Sequence, residues 1–149
     1  MEARYFEDWN VGDEAETGAV EVTREAAIAF AQAYDPQAFH LDDDAARDSI
    51  FGRLSASGWQ TASLAMRAIV TSGVFPPKGL VGLGVDKLRW VKPVYPGDSL
   101  RVLTRVTSKR ENGNKPTGIV QFENETRNQH GELVMTHETM VLMPRRPQP

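Results

Sequence analysis

Between Thr117 and Arg127 the chain reads TGIVQFENETR, and polar and apolar positions alternate through it. Val120, Phe122, Asn124 and Thr126 fall on one side, with Gln121, Glu123, Glu125 and Arg127 on the other. A period of two is the signature of a strand with one covered face. Three further segments read the same way: LVGLGVDKLRWV (80–91), DSLRVLTRVTSKR (98–110) and ELVMTHETMVLM (132–143). Turn-forming residues separate the four: Pro96-Gly97-Asp98, Asn112-Gly113-Asn114, and Asn128 to Gly131. Connections this short predict antiparallel pairing. GAVEVT (18–23) offers a fifth strand.

The period changes between residues 24 and 72. Ala27, Phe30, Ala31 and Tyr34 lie at i, i+3, i+4 and i+7, one face of a helix that Thr23 can cap and Glu25 can support through the helix dipole. Pro36 ends it, because the residue before a proline is pushed out of the α region. The acids Asp42, Asp43 and Asp44 stand where a short second helix would begin, and dipole complement with solvation accounts for them. A third helix is predicted from Ser57 or Gly58 to about Ser72, with Gly73 as its stop. Trp59, Ala62, Leu64, Ala65, Met66, Ala68, Ile69 and Val70 are spread nearly all round it, which predicts burial on most sides. The expected fold class is α+β: a curled antiparallel sheet wrapped around one long apolar helix. One domain over 1–149 is expected, with a tail at 144–149 that leaves the fold.

Composition narrows the function classes. The chain has 149 residues, 40% hydrophobic and 25% charged, with a net charge of −3. That balance suits a globular domain with a real core and argues against a general nucleic-acid binder. The absence of cysteine excludes disulfides, thiolate metal sites and cysteine nucleophiles. The opening MEARYFEDWN has no apolar run behind it, and no stretch approaches a membrane span, so the expected location is the cytoplasm.

Candidate chemistry concentrates in YDPQAFHLDDD (34–44). Asp35 and His40 can meet at one water, where a carboxylate and an imidazole share the work of general acid and base. The alternatives are a helix-ending Asp-Pro turn and a hydrogen-bonded core histidine. Gly58 opens the apolar helix, and a helix N-terminus carries unpaired N–H donors and a positive dipole end, suited to an oxygen that gains negative charge. His40-Leu41-Asp42 lacks the additional spaced ligands of a metal site. His130 and His137 read as solvated or structural, GLVGLG (79–84) as strand bending, and Trp59 and Trp90 as core or interface. Lys87, Arg89, Lys92, Arg101 and Arg105 are cations that either face solvent or meet a phosphorylated ligand.

These residues carry a family resemblance. YDPQAFHLD, FGRLSASGW leading into the apolar helix, and KPVYPGDSLRV together resemble the hot-dog fold, and within it the MaoC-like (R)-specific enoyl-CoA hydratases. The signature is Asp-x4-His with a glycine eighteen residues after the histidine, matched at Asp35, His40 and Gly58. The resemblance implies that Asp35 and His40 address the catalytic water and that the Gly58 N–H binds the thioester oxygen. Ser57 and Trp59 are expected at the substrate, an enoyl-CoA or acyl-CoA thioester; no cofactor is expected, since neither polarisation nor proton transfer lacks a group, and the resemblance implies a homodimer or higher homo-oligomer. Two positions depart from the pattern. Ser57 and Gln60 stand where many relatives have histidine, and Met66 where some carry serine. An acyl-CoA thioesterase on the same fold and a non-catalytic acyl-binding protein are the competing expectations, although the third helix has no Asp or Glu to serve as a hydrolytic base.

Overall fold

The computed structural model describes residues 2–149. Six strands form the sheet: β1 (Glu14–Glu16), β2 (Val20–Glu21), β3 (Val81–Trp90), β4 (Ser99–Glu111), β5 (Thr117–Arg127) and β6 (Leu133–Pro144). Their order is β1-β4-β5-β6-β3, with β2 also pairing with β4, and every pairing is antiparallel. The helices are α1 (Arg24–Tyr34), α2 (Asp43–Arg47) and α3 (Gly58–Thr71). Helix α3 lies on the concave face of the curled sheet, the hot-dog arrangement that the resemblance implies. No helix among the described residues is long and apolar enough to cross a membrane.

The alternation in β5 does what its period requires. Val120, Phe122, Asn124 and Thr126 are all buried, and the other face meets solvent. Turns close the β4–β5 and β5–β6 hairpins with Gly113 and Gly131 at positive φ, 56° and 75°, where glycine is unstrained. Two apolar clusters fill the concavity. One joins Val22, Ala65, Ala68, Ile69, Leu100, Val102 and Met135; the other joins Phe6, Trp9, Val74, Val106, Phe122 and Met143. Between them runs a polar row. Thr104 on β4 donates to Asn124 on β5 at 2.8 Å, and Asn124 donates on to Thr139 Oγ1 of β6 at 3.1 Å. His137 stands in the same row, directly across from Asn124, and burial lowers its pKa. Opposite His137, β3 carries an extra residue between Asp86 and Arg89, and Lys87 there adopts φ 52°.

Helix α1 has the expected bounds, capped by Thr23 Oγ1, which accepts from the Ala26 N–H at 3.2 Å. The acidic run is structural. Asp42 caps α2, Asp43 pairs with Arg24 and Asp44 with Arg47.

Several expectations are corrected. β3 does not pair with β4; it forms the far edge of the sheet beside β6. The connection between them, residues 91–98, crosses the open end of the sheet, and its prolines Pro93 and Pro96 have no N–H to give a ladder. It is held instead by Val91 N–H to Val134 O and by Ala56 N–H to Val94 O, both at 2.8 Å. The fifth strand shrinks to Val20–Glu21, and β1 precedes it unforeseen, because the three residues Glu14–Glu16 are too few to establish a period. Helix α3 is not covered all round. Trp59, Met66 and Val70 form an uncovered stripe, since one sheet wraps only one side of a rod. The tail at 144–149 begins later than expected. Pro144 ends β6, Arg145 pairs with Glu7 and Glu111, and Arg146 with Asp8, so the arginines tie the tail to the N-terminal turn.

Candidate functional site

The site begins where α1 stops. Pro36 forces Asp35 out of the helix, to φ −149° and ψ 66°, while the Asp35 N–H still closes the last turn onto Ala31 O at 2.9 Å. The chain then folds into a 3₁₀ turn, Ala38–His40, that brings His40 back beneath the helix end. His40 is only 5% exposed. Its Nδ1 lies 2.7 Å from Ser55 O and 3.3 Å from Ser55 Oγ. A carbonyl can only accept, so Nδ1 carries a hydrogen, and Nε2 faces the Asp35 carboxylate at 3.3 Å. Phe39 and Phe51 pack around the imidazole and hold its plane.

Asp35 is held on both oxygens. Ser57 Oγ donates to Oδ2 at 2.7 Å and Gln37 Nε2 donates to Oδ1 at 2.7 Å. Burial pushes its pKa up, but the hydrogen bonds from Ser57 and Gln37 and the charge of His40 outweigh it, and the carboxyl ends below its ordinary value. Asp35 is therefore a carboxylate throughout the neutral range.

Ser57 joins this pair to α3. It is the helix N-cap, its Oγ accepting from the Trp59 N–H at 3.3 Å while donating to Asp35. Ser57, expected at the substrate, is fully buried, and its hydroxyl bonds to both the carboxylate and the helix start. Gly58, the first helical residue, has no intrahelical partner for its N–H. A cleft of about 440 Å³ is lined by Asp35, His40, Gly58, Trp59, Trp90 and Lys92 among others. The structure thus brings Asp35, His40, Gly58 and Trp59 to one opening, with Ser57 beneath it.

Sequence reasoning assigned three residues here to other places or to none. Trp90, expected in a core or interface, is 45% exposed, and its Nε1–H donates to Gly58 O at 2.8 Å. It meets Trp59 edge to face at 5.1 Å, so two indoles flank the mouth of the cleft. Gln37 and Ser55 carry no pattern of their own; only their neighbours in Asp-Pro-Gln-Ala-Phe-His and before Ser57-Gly58 hint at them. Of the five candidate cations only Lys92 lines the cleft. Lys87 pairs with Glu138 and Arg105 with Glu14.

A carboxylate and an imidazole flanking a solvated cleft, with a helix N-terminus in its wall, can deprotonate water and hold a developing oxyanion. Comparison with known proteins agrees with that chemistry. Residues 8–128 match the model of the MaoC like domain, and the chain belongs to that family. A MaoC-like dehydratase from Rhodospirillum rubrum superposes with a TM-score of 0.90 at 41% identity, covering 98% of this chain and 100% of that one. The (R)-hydratase PhaJ1 from Pseudomonas aeruginosa superposes with a TM-score of 0.78 at 29% identity, covering 95% of this chain and 86% of that one. Mesaconyl-CoA hydratase from Cereibacter sphaeroides is 37% identical over 67 residues, 45% of this chain and 20% of that protein.

Proposed function

We propose that the protein hydrates 2-enoyl thioesters, or dehydrates the corresponding 3-hydroxyacyl thioesters, at the Asp35–His40 cleft. The observation that carries the reading is the approach of His40 Nε2 to Asp35 Oδ2, 3.3 Å, at the mouth of a cleft whose wall includes Gly58. The relatives named as hydratases support it.

In the hydration direction a water held between Asp35 and His40 loses a proton to the pair as its oxygen bonds to C3. The C2–C3 π electrons move toward the thioester, and its carbonyl oxygen takes up charge. The Gly58 N–H, backed by the helix dipole, is the donor for that oxygen. The pair then returns a proton to C2 as the enolate collapses, so one H and one OH have been added and Asp35 and His40 are back in their starting charge state. Both additions come from the same side groups and therefore to the same face of the double bond. Loss of enoyl absorbance without release of free thiol tests the reading, and chiral analysis of the product gives its stereochemistry. Thiol release in place of hydration would reassign the site to hydrolysis.

Ser57→Ala isolates the positioning of the carboxylate. Removing a donor from Asp35 disfavours its charged form, so its pKa rises and the acid limb of the kcat/KM profile should move to higher pH. Loss of the cap should also cost about 1 kcal/mol of stability. A pH–rate profile and a thermal melt read the two effects separately, and an unmoved acid limb would remove Ser57 from the site.

The active unit in this reading is a homodimer. The β3 edge exposes Val81, Leu83 and Val85, and the uncovered stripe of α3 exposes Trp59, Met66 and Val70. An unpaired edge beside apolar surface is suited to a second copy. Light scattering at assay concentration should give twice the mass of the chain.

A further inference from the structure

A second pocket, of about 510 Å³, adjoins the cleft, sharing Lys92 and Pro93 with it. Its other walls include Arg53, Tyr95, Gln129 and His130. Arg53 lies over the Tyr95 ring, its guanidinium carbon 3.8 Å from the centroid. Tyr95 is itself fixed by its O–H, which donates to Phe51 O at 3.0 Å, and Phe51 lines the catalytic cleft. The two acids in the pocket wall are already engaged: Asp98 accepts from the Tyr95 N–H and from Gln129, and Glu132 pairs with Lys92 and accepts from Asn128. Among the described residues the Arg53 guanidinium makes no ion pair. A guanidinium held over a ring and without a carboxylate partner keeps its N–H donors available, which suits it to a phosphate.

We propose that this pocket anchors a phosphate on the carrier of the thioester substrate, with Arg53 as its contact and the Lys92–Pro93 wall as the passage from the catalytic cleft. The inference rests on the thioester reading above. It selects Arg53, outside the five cations singled out from sequence, because a turn at Gly52 and the ring of Tyr95 aim it at the pocket.

Three enoyl thioesters sharing one acyl group separate the possibilities: CoA, 4′-phosphopantetheine and pantetheine, the last without phosphate. Arg53→Gln should raise KM about tenfold for the phosphorylated substrates, leave kcat unchanged, and leave the pantetheine thioester unaffected. Arg53→Lys should restore part of the loss, and added salt should shrink the difference. Loss on both phosphorylated substrates places the phosphate at the end of the pantetheine arm, as a carrier protein would also present it. Loss on CoA alone places it on the nucleotide. Equal loss on all three, or none, overturns the proposal. Should no thioester turn over, the catalytic reading fails while the pocket remains testable by calorimetry. Arg53→Gln should then weaken CoA about tenfold and pantetheine not at all, and unchanged CoA affinity overturns the anchor. Arg53 is exposed, so an unchanged melting temperature should accompany these results.

Discussion

Asp35→Asn or His40→Gln should leave the chain folded and lower turnover of a 2-enoyl thioester by about a hundredfold or more. An asparagine in the first position keeps the shape of the carboxylate and can still accept from Ser57, but it has neither the charge nor the basicity to draw a proton from water. A glutamine in place of His40 can still donate toward Ser55 O, but its amide offers no ring nitrogen to take a proton from water and hand it on. The losses should not multiply in the double variant. The two groups address one water, and removing either already ends the shared proton transfer. Binding of a non-reacting acyl thioester should persist in both variants. Turnover near the parental level in either would transfer the chemistry to another group. Thiol release surviving in both would favour a hydrolase whose base lies outside α3. An acyl-binding protein without chemistry predicts no turnover in the parent either, so the parental assay must come first.

Legibility followed the range of the forces involved. Helix α1 could be read because its limits are local: Thr23 caps and Pro36 blocks, whatever the rest of the chain does. Strand β5 could be read because each inward residue meets the same core. The Asp35–His40 pair was legible mainly through the family resemblance, since the spacing alone is common; the proline-stopped helix and the 3₁₀ turn after it are what return the chain after five residues. What depends on distant partners was not legible. β3 looks like the first half of a hairpin with β4, and only the closing of the sheet sends it to β6. Nothing local in the sequence shows that the Ser57 hydroxyl bridges a helix cap and a carboxylate 22 residues away. Trp90 had no sequence reason to touch Gly58, 32 positions earlier. Apolar residues all round α3 do not tell which of them the sheet covers, and it leaves Trp59, Met66 and Val70 exposed.

Gly58→Ala should carry the other large effect, and its cause is Trp90. A Cβ on residue 58 would stand 2.6 Å from Cε2, 2.8 Å from Cδ2 and 2.9 Å from Nε1 of that indole, all far inside contact distance. The ring must swing out or the first turn of α3 must shift. Swinging out breaks the bond from Nε1–H to Gly58 O and the edge-to-face contact with Trp59. A shift of the turn moves the N–H assigned to the oxyanion. Loss of one such donor costs about 3–4 kcal/mol of barrier, or roughly a hundred- to thousandfold in kcat. Stability should change less, because alanine gains about 1 kcal/mol of helix propensity over glycine and offsets part of the clash. The expected pattern is thus a large fall in kcat with a small change in melting temperature and an altered tryptophan fluorescence. Gly58→Ala combined with Trp90→Ala removes the obstacle and tests the cause. If steric displacement is responsible, the double variant should recover rate relative to Gly58→Ala alone, though not to the parental level, since Trp90 also fixes the helix start. A double variant as slow as Gly58→Ala plus the separate loss from Trp90→Ala would show that the indole is not what makes glycine necessary. The amide of residue 58 would then owe its place to something other than the ring packed against it.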